Sequence, residues 1–124
     1  MTIREQLERR GGEIVRRVIA ELPPELRTLA ERVPVFCERE VTEHWLEEGV
    51  ADDSMGLFSG PALNEPTDPG CLESPSITFF LAELWDYCEE DMQTFDEEVR
   101  ITFIHEFGHY LGLDESELES RGLL

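Results

Sequence analysis

The chain of 124 residues contains no lysine, only three histidines and only three cysteines. Its ten cationic side chains are all arginine, set against 29 acids, for a formal charge of −19. The imbalance is local. Residues 1–39 hold eight Arg and seven Glu, whereas residues 40–124 hold two Arg (Arg100 and Arg121) and twenty-two acids. Nucleic-acid binders carry the opposite footprint, a basic face, so a nucleic-acid partner is excluded. A surface this acidic favours cationic partners and divalent metals, and otherwise serves solubility.

Long apolar runs are also missing. None approaches the roughly 18–20 residues of a membrane span, so no membrane partner is expected. The opening residues Met1-Thr-Ile-Arg-Glu lack the apolar stretch of a signal peptide. Cys37, Cys71 and Cys88 are odd in number and without CxxC spacing. That argues against a disulfide framework and for reduced thiols in a cytoplasmic protein. At this length one domain, residues 1–124, is expected, with no room for a separate substrate domain.

What is present reads as alternating helical and extended segments. Residues 3–21 predict an amphipathic helix, with Ile3, Leu7, Ile14, Val18 and Leu22 as its apolar stripe. Gly11-Gly12 weakens its middle and Pro23-Pro24 ends it. A short helix over about 24–31 follows, opened by a proline tolerated in the first turn. Val33–Val41 alternates and is β-branched, which predicts a strand. "TEHWLEEGVADD" reads as a short helix or loop, Met55–Gly60 as a short strand, and residues 60–75, with four of seven prolines, as a loop. "SITFFLAEL" starts extended and turns helical by Ala82–Cys88.

The clearest helix comes next. Thr94 and Glu97 match a capping box, from which the helix runs to Gly112. Asp96, Glu97 and Glu98 then fall in its first turn. Val99, Phe103, Phe107, Tyr110 and Leu111 form its apolar flank, with Ile104 beside them. Gly112 suits the positive φ of a helix C-cap, and Asp114 with Glu117 caps a last short helix.

That helix carries His105-Glu106-Phe107-Gly108-His109, an H-E-x-x-H pattern. Four residues turn a helix by about 400°, so both imidazoles lie on one side, one turn apart, able to share a tetrahedral Zn²⁺. Glu106 is offset by about 100°, outside the ligand shell but near the open position, where it can take a proton from a metal-bound water. Gly112 lets the chain reverse, as in the pattern H-E-x-x-H-x-x-G-x-x-H, with Glu115 in the register of the final ligand. Asp114, one residue earlier on the same turn, is the alternative. Without a metal, the same residues would be a merely polar helix face.

The other polar residues read more simply. His44 beside Trp45 is a solvated or structural histidine, with oxyanion stabilisation as its functional alternative. Tyr110 is core or adjoins the site, Tyr87 is a possible hydrogen-bond donor, and the cysteines are buried or free thiols rather than soft ligands. Gly108 implies close approach of a strand to its helix face, or else is a harmless surface glycine.

The segment "EEVRITFIHEFGHYLGLDESELESRG" resembles the C-terminal half of the small bacterial zincin-like proteins, the minimal zincins with their HExxHxxGxx(D/E) pattern. "MGLFSGP" resembles the short glycine-bounded strand they carry upstream, and the likeness covers roughly residues 33–124. It implies an α+β fold, a small mixed sheet packed on the HExxH helix, with helices N-terminal to it. It also implies zinc held by His105, His109 and Glu115, with Glu106 as catalytic base, and a peptide or protein substrate. No methionine follows Glu115, so the larger metzincin plan with its Met-turn does not apply. The leading expectation is a zinc-dependent peptidase, its substrate aligned by strand addition on "MGLFSG" or "SITFFL". A non-catalytic metal-binding acidic module that docks a basic protein partner is the alternative, and a metal-free helical interaction domain the third.

Overall fold

A computed structural model describes residues 1–66, 70 and 73–124. The element order is α1 (Ile3–Glu21), α2 (Pro24–Ala30), β1 (Val35–Glu38), α3 (Glu43–Glu47), β2 (Gly56–Ser59), β3 (Ser76–Phe80), α4 (Leu81–Tyr87), α5 (Met92–Leu111) and α6 (Glu115–Ser120). This is the expected α+β architecture, a small mixed sheet on the long helix with helices before it. Part of the expected loop over 60–75, with Cys71, lies outside the described residues.

α1 begins where Thr2 accepts a hydrogen bond from Glu5 N–H, and it runs unbroken through both glycines. Its buried face is Leu7, Gly11, Ile14, Val15 and Val18; Ile3, expected in the stripe, is 48% exposed, at the first turn of the helix. α1 packs along α5, and Arg10 closes a two-pronged ion pair on Asp96 across them.

The sheet order is β1-β3-β2, with β1 parallel and β2 antiparallel to β3. β3 therefore takes the centre, and four of its five residues are buried. Val35, Cys37, Ile77, Phe79 and Phe58 belong to the core side. Phe36 and Thr78 face the other way, as the two-residue period of a strand requires. β1 is shorter than the alternation over Val33–Val41 predicts, since Val33 already closes a turn on Ala30. β3 passes into α4 without a loop, and the chain then reverses through Glu89 and Glu90, both at positive φ (52° and 58°).

α5 starts three residues earlier than the capping-box reading places it. Asp91 is the N-cap and accepts from both Thr94 N–H (2.9 Å) and Thr94 Oγ1 (2.7 Å). A carboxylate outcompetes a hydroxyl for this role, and Thr94 is itself tied up as donor, so Asp96, Glu97 and Glu98 lie past the first turn. The helix is buried on most of its circumference through Phe95, Val99, Phe103, Ile104, Phe107 and Tyr110. On its C-terminal half a strip stays wholly or partly wet, and His105, Glu106 and His109 lie on it. Gly112 ends the helix at φ 74°, as its sequence position predicts, and Asp114 with Glu117 forms the expected capping box of α6.

The two close approaches to α5 are made at glycines. A Cβ on Gly56 of β2 would sit 2.5 Å from Thr102 Cγ2, so only glycine lets that strand lie on the helix. A Cβ on Gly108 would sit 2.7 Å from Leu118 Cδ1. Gly108 thus receives α6, not the strand its sequence context implies.

Candidate metal and catalytic centre

The strip on α5 meets two neighbours. On one side is β2, whose Phe58 N–H donates to Glu106 Oε1 at 2.9 Å. On the other is the start of α6, which carries Glu115. Glu106 is the most enclosed of the four candidate side chains, 15% exposed, against 38% for His105, 62% for His109 and 67% for Glu115.

The Phe58–Glu106 contact follows from sheet geometry. Phe80 N–H bonds Met55 C=O, so in this antiparallel pair Leu57 and Thr78 also exchange hydrogen bonds. The N–H and C=O of Gly56 and Phe58 must then point away from β3. Glu106 takes one of those outward groups, and the Gly56 groups remain along the strand's outer edge. β2 is an edge strand and β3 is not, so of the two segments considered for strand addition only "MGLFSG" has an edge to offer; "SITFF" is paired on both sides.

His105 Nε2 lies 3.6 Å from Glu115 Oε1. That is too long for a hydrogen bond. It suits a shared ion: two tetrahedral ligands each about 2.0–2.1 Å from zinc stand about 3.4 Å from one another. Asp114 is otherwise engaged, since its carboxylate accepts from Glu117 N–H at 2.8 Å as the cap of α6. His109 Nδ1 faces Glu106 Oε1 at 3.8 Å. Among the described residues no three His, Cys, Asp or Glu side chains converge as a metal shell. Two donors stand at ligand-pair spacing, and the third, His109, is an exposed ring one helical turn from His105. In donor chemistry, His₂ with one carboxylate, the residues fit zinc.

The remaining candidates lie elsewhere. His44 is exposed and lines a cleft on the outer face of the sheet together with Trp45, and no residue of α5 lines that cleft. Tyr110 is core, stacked near Phe107 (6.2 Å between centroids), and Tyr87 is 61% exposed. Cys37 and Cys88 are free thiols, each pushed up to about 11 by burial, Cys37 also by Glu8 and Cys88 by Glu98 and Asp91. Sequence reasoning missed the Phe58 N–H, because a backbone group leaves no mark in side-chain patterns. The one available signal was Gly56, a glycine at the start of a strand where another element comes close.

A family model described as zincin-like metallopeptidase matches residues 30–123. No curated protein matches the chain.

Proposed function

The chain belongs to the zincin-like metallopeptidase family, and on that premise we propose that it is a zinc-dependent peptidase with Glu106 as general base and His105, His109 and Glu115 as metal ligands. The observation that carries the ligand set is the His105–Glu115 separation of 3.6 Å across the α5–α6 reversal. The capping role of Asp114 favours Glu115 over it.

Zinc, when bound, lowers the pKa of a water toward about 7 and polarises a carbonyl. The chain's own residues do the rest. Phe58 N–H tethers Glu106 through Oε1 and leaves Oε2 to work. Water oxygen adds to the peptide carbonyl carbon as its proton passes to Oε2. The C–N bond then breaks, and Oε2 hands the proton to the departing amine nitrogen. An extended substrate aligns along the outer edge of β2, where the Gly56 N–H and C=O point outward. The acid excess supports a second reading, a metal-binding module that docks a basic protein without cleaving it.

The test is hydrolysis of a mixed peptide library by the zinc-loaded chain and by Glu106→Gln. Cleavage by the first and not by the second, with zinc retained in both, is expected. No cleavage by either leaves the docking module as the surviving reading.

A further inference from the structure

The outer face of the sheet, turned away from the core, carries a cleft of about 670 Å³. Its apolar walls are Phe36, Trp45 and Leu57, and its carboxylates are Glu38, Glu48 and Glu73. No arginine among the described residues lines it. Phe36 is 54% exposed there, a large ring left uncovered. Trp45 is already held, edge-on to Phe80 at 5.5 Å between centroids. Thr78, on the central strand, lines the cleft and is only 4% exposed. Its hydroxyl has no hydrogen-bond partner among the described residues.

We propose that this cleft binds an arginine side chain presented by an extended peptide. Arginine meets each demand of the lining. Its methylene stem covers apolar rings, and its guanidinium packs on an indole. The planar fork donates to carboxylates in pairs. Thr78 Oγ1 accepts one further N–H. Lysine, a strongly hydrated point charge, satisfies fewer of these contacts.

The cleft shares a strand with the catalytic centre. Leu57 and Ser59 line it, while Phe58 between them donates to Glu106. Residues opposite each other on paired strands point to the same face. A peptide added to the edge of β2 therefore sends the side chains opposite Leu57 and Ser59 over the outer face, toward the carboxylates. As a specificity cleft for hydrolysis this rests on the proposed function; as a binding site it stands without it.

The test is a fluorescence titration of the full chain carrying Trp85→Phe, with chelator present so that neither zinc nor cleavage enters. Trp45 is then the only indole, since the chain has two tryptophans. The probe is the blocked hexapeptide Arg-Ala-Arg-Ala-Arg-Ala, with its glutamine-for-arginine counterpart as control. The expected result is a saturable change in Trp45 emission, at least about tenfold weaker for the glutamine peptide and for Glu48→Gln/Glu73→Gln. If Trp85→Phe does not fold, the native chain is compared with Trp45→Phe, which should lose the response. Equal affinity for both peptides, or no change at millimolar peptide, overturns the proposal. Binding without hydrolysis in the library assay would remove the peptidase reading alone. Hydrolysis with no preference for arginine, together with equal affinity for the two hexapeptides, would remove this one alone.

Discussion

Phe58 N–H and Glu106 Oε1 stand 2.9 Å apart, which ties the candidate base to the edge strand along which a substrate is proposed to lie. The contact gives Glu106 both a structural and a chemical role, and the two separate by substitution. Glutamine keeps an oxygen for Phe58 N–H but cannot take a proton; alanine loses both. Glu106→Gln should unfold within about 0.5 kcal/mol of the native chain, whereas Glu106→Ala should lose about 1–2 kcal/mol. Turnover should fall at least about a hundredfold in both. Denaturant unfolding beside a peptidase assay checks this; equal stability of the two variants would show that the tether contributes nothing.

Gly108 is the seat of Leu118, which is 1% exposed and cannot swing aside freely. Gly108→Ala should destabilise by about 1–3 kcal/mol through overpacking. Because α6 also carries Glu115, the variant should bind zinc more weakly than the loss of stability alone explains. Adding Leu118→Val should recover part of both. Unfolding and zinc titration of the single and double variants decide it.

Gly11 is the opposite case. It is buried within α1, yet an added Cβ would meet nothing within 4 Å. Gly11→Ala should therefore stabilise by about 0.5–1 kcal/mol by restricting the unfolded chain and favouring helix. Thermal unfolding should show a Tm about 2–5 °C higher. A lower Tm would mean that the α1–α5 contact is tighter than it looks.

Asp91 adds a pH dependence. The hydrogen bonds from Thr94, first the hydroxyl and then the backbone N–H, hold its carboxyl below its ordinary range. A depressed folded pKa means that the unfolded chain binds the proton more readily. The cap's contribution is thus complete above the unfolded value near about 4 and is lost as pH falls through the folded one. Asp91→Asn, a neutral cap of the same shape, should be less stable than the native chain at pH 7. The gap should close as the pH falls below about 4. A gap unchanged at low pH would show that charge plays no part in capping α5.

Much of the fold was legible from apolar density and stop signals. α5 is rich in apolar residues from Phe95 to Leu111, and Gly112 and the Asp114–Glu117 box punctuate its end. The start was misplaced because two acceptors compete there and local pattern does not rank Asp91 above Thr94. Periodicity also shows which face is buried but not what buries it. Gly108 therefore pointed to a strand and met a helix, while Gly56 is where the strand does come close. The sheet order had one overlooked sign, the near-continuous apolar run of "SITFF", which suits a central strand buried on both faces. At the centre, spacing along one helix brought out His105, Glu106 and His109. Glu115 needed the reversal at Gly112, and Phe58 N–H needed the tertiary fold.

The most direct test of the account is the zinc content of the full chain purified without chelator, beside His109→Ala and Glu115→Ala. About one zinc per chain is expected, lost or severalfold reduced in each variant. Zinc absent from the native chain even after equimolar supply, or held undiminished by His109→Ala, would contradict it.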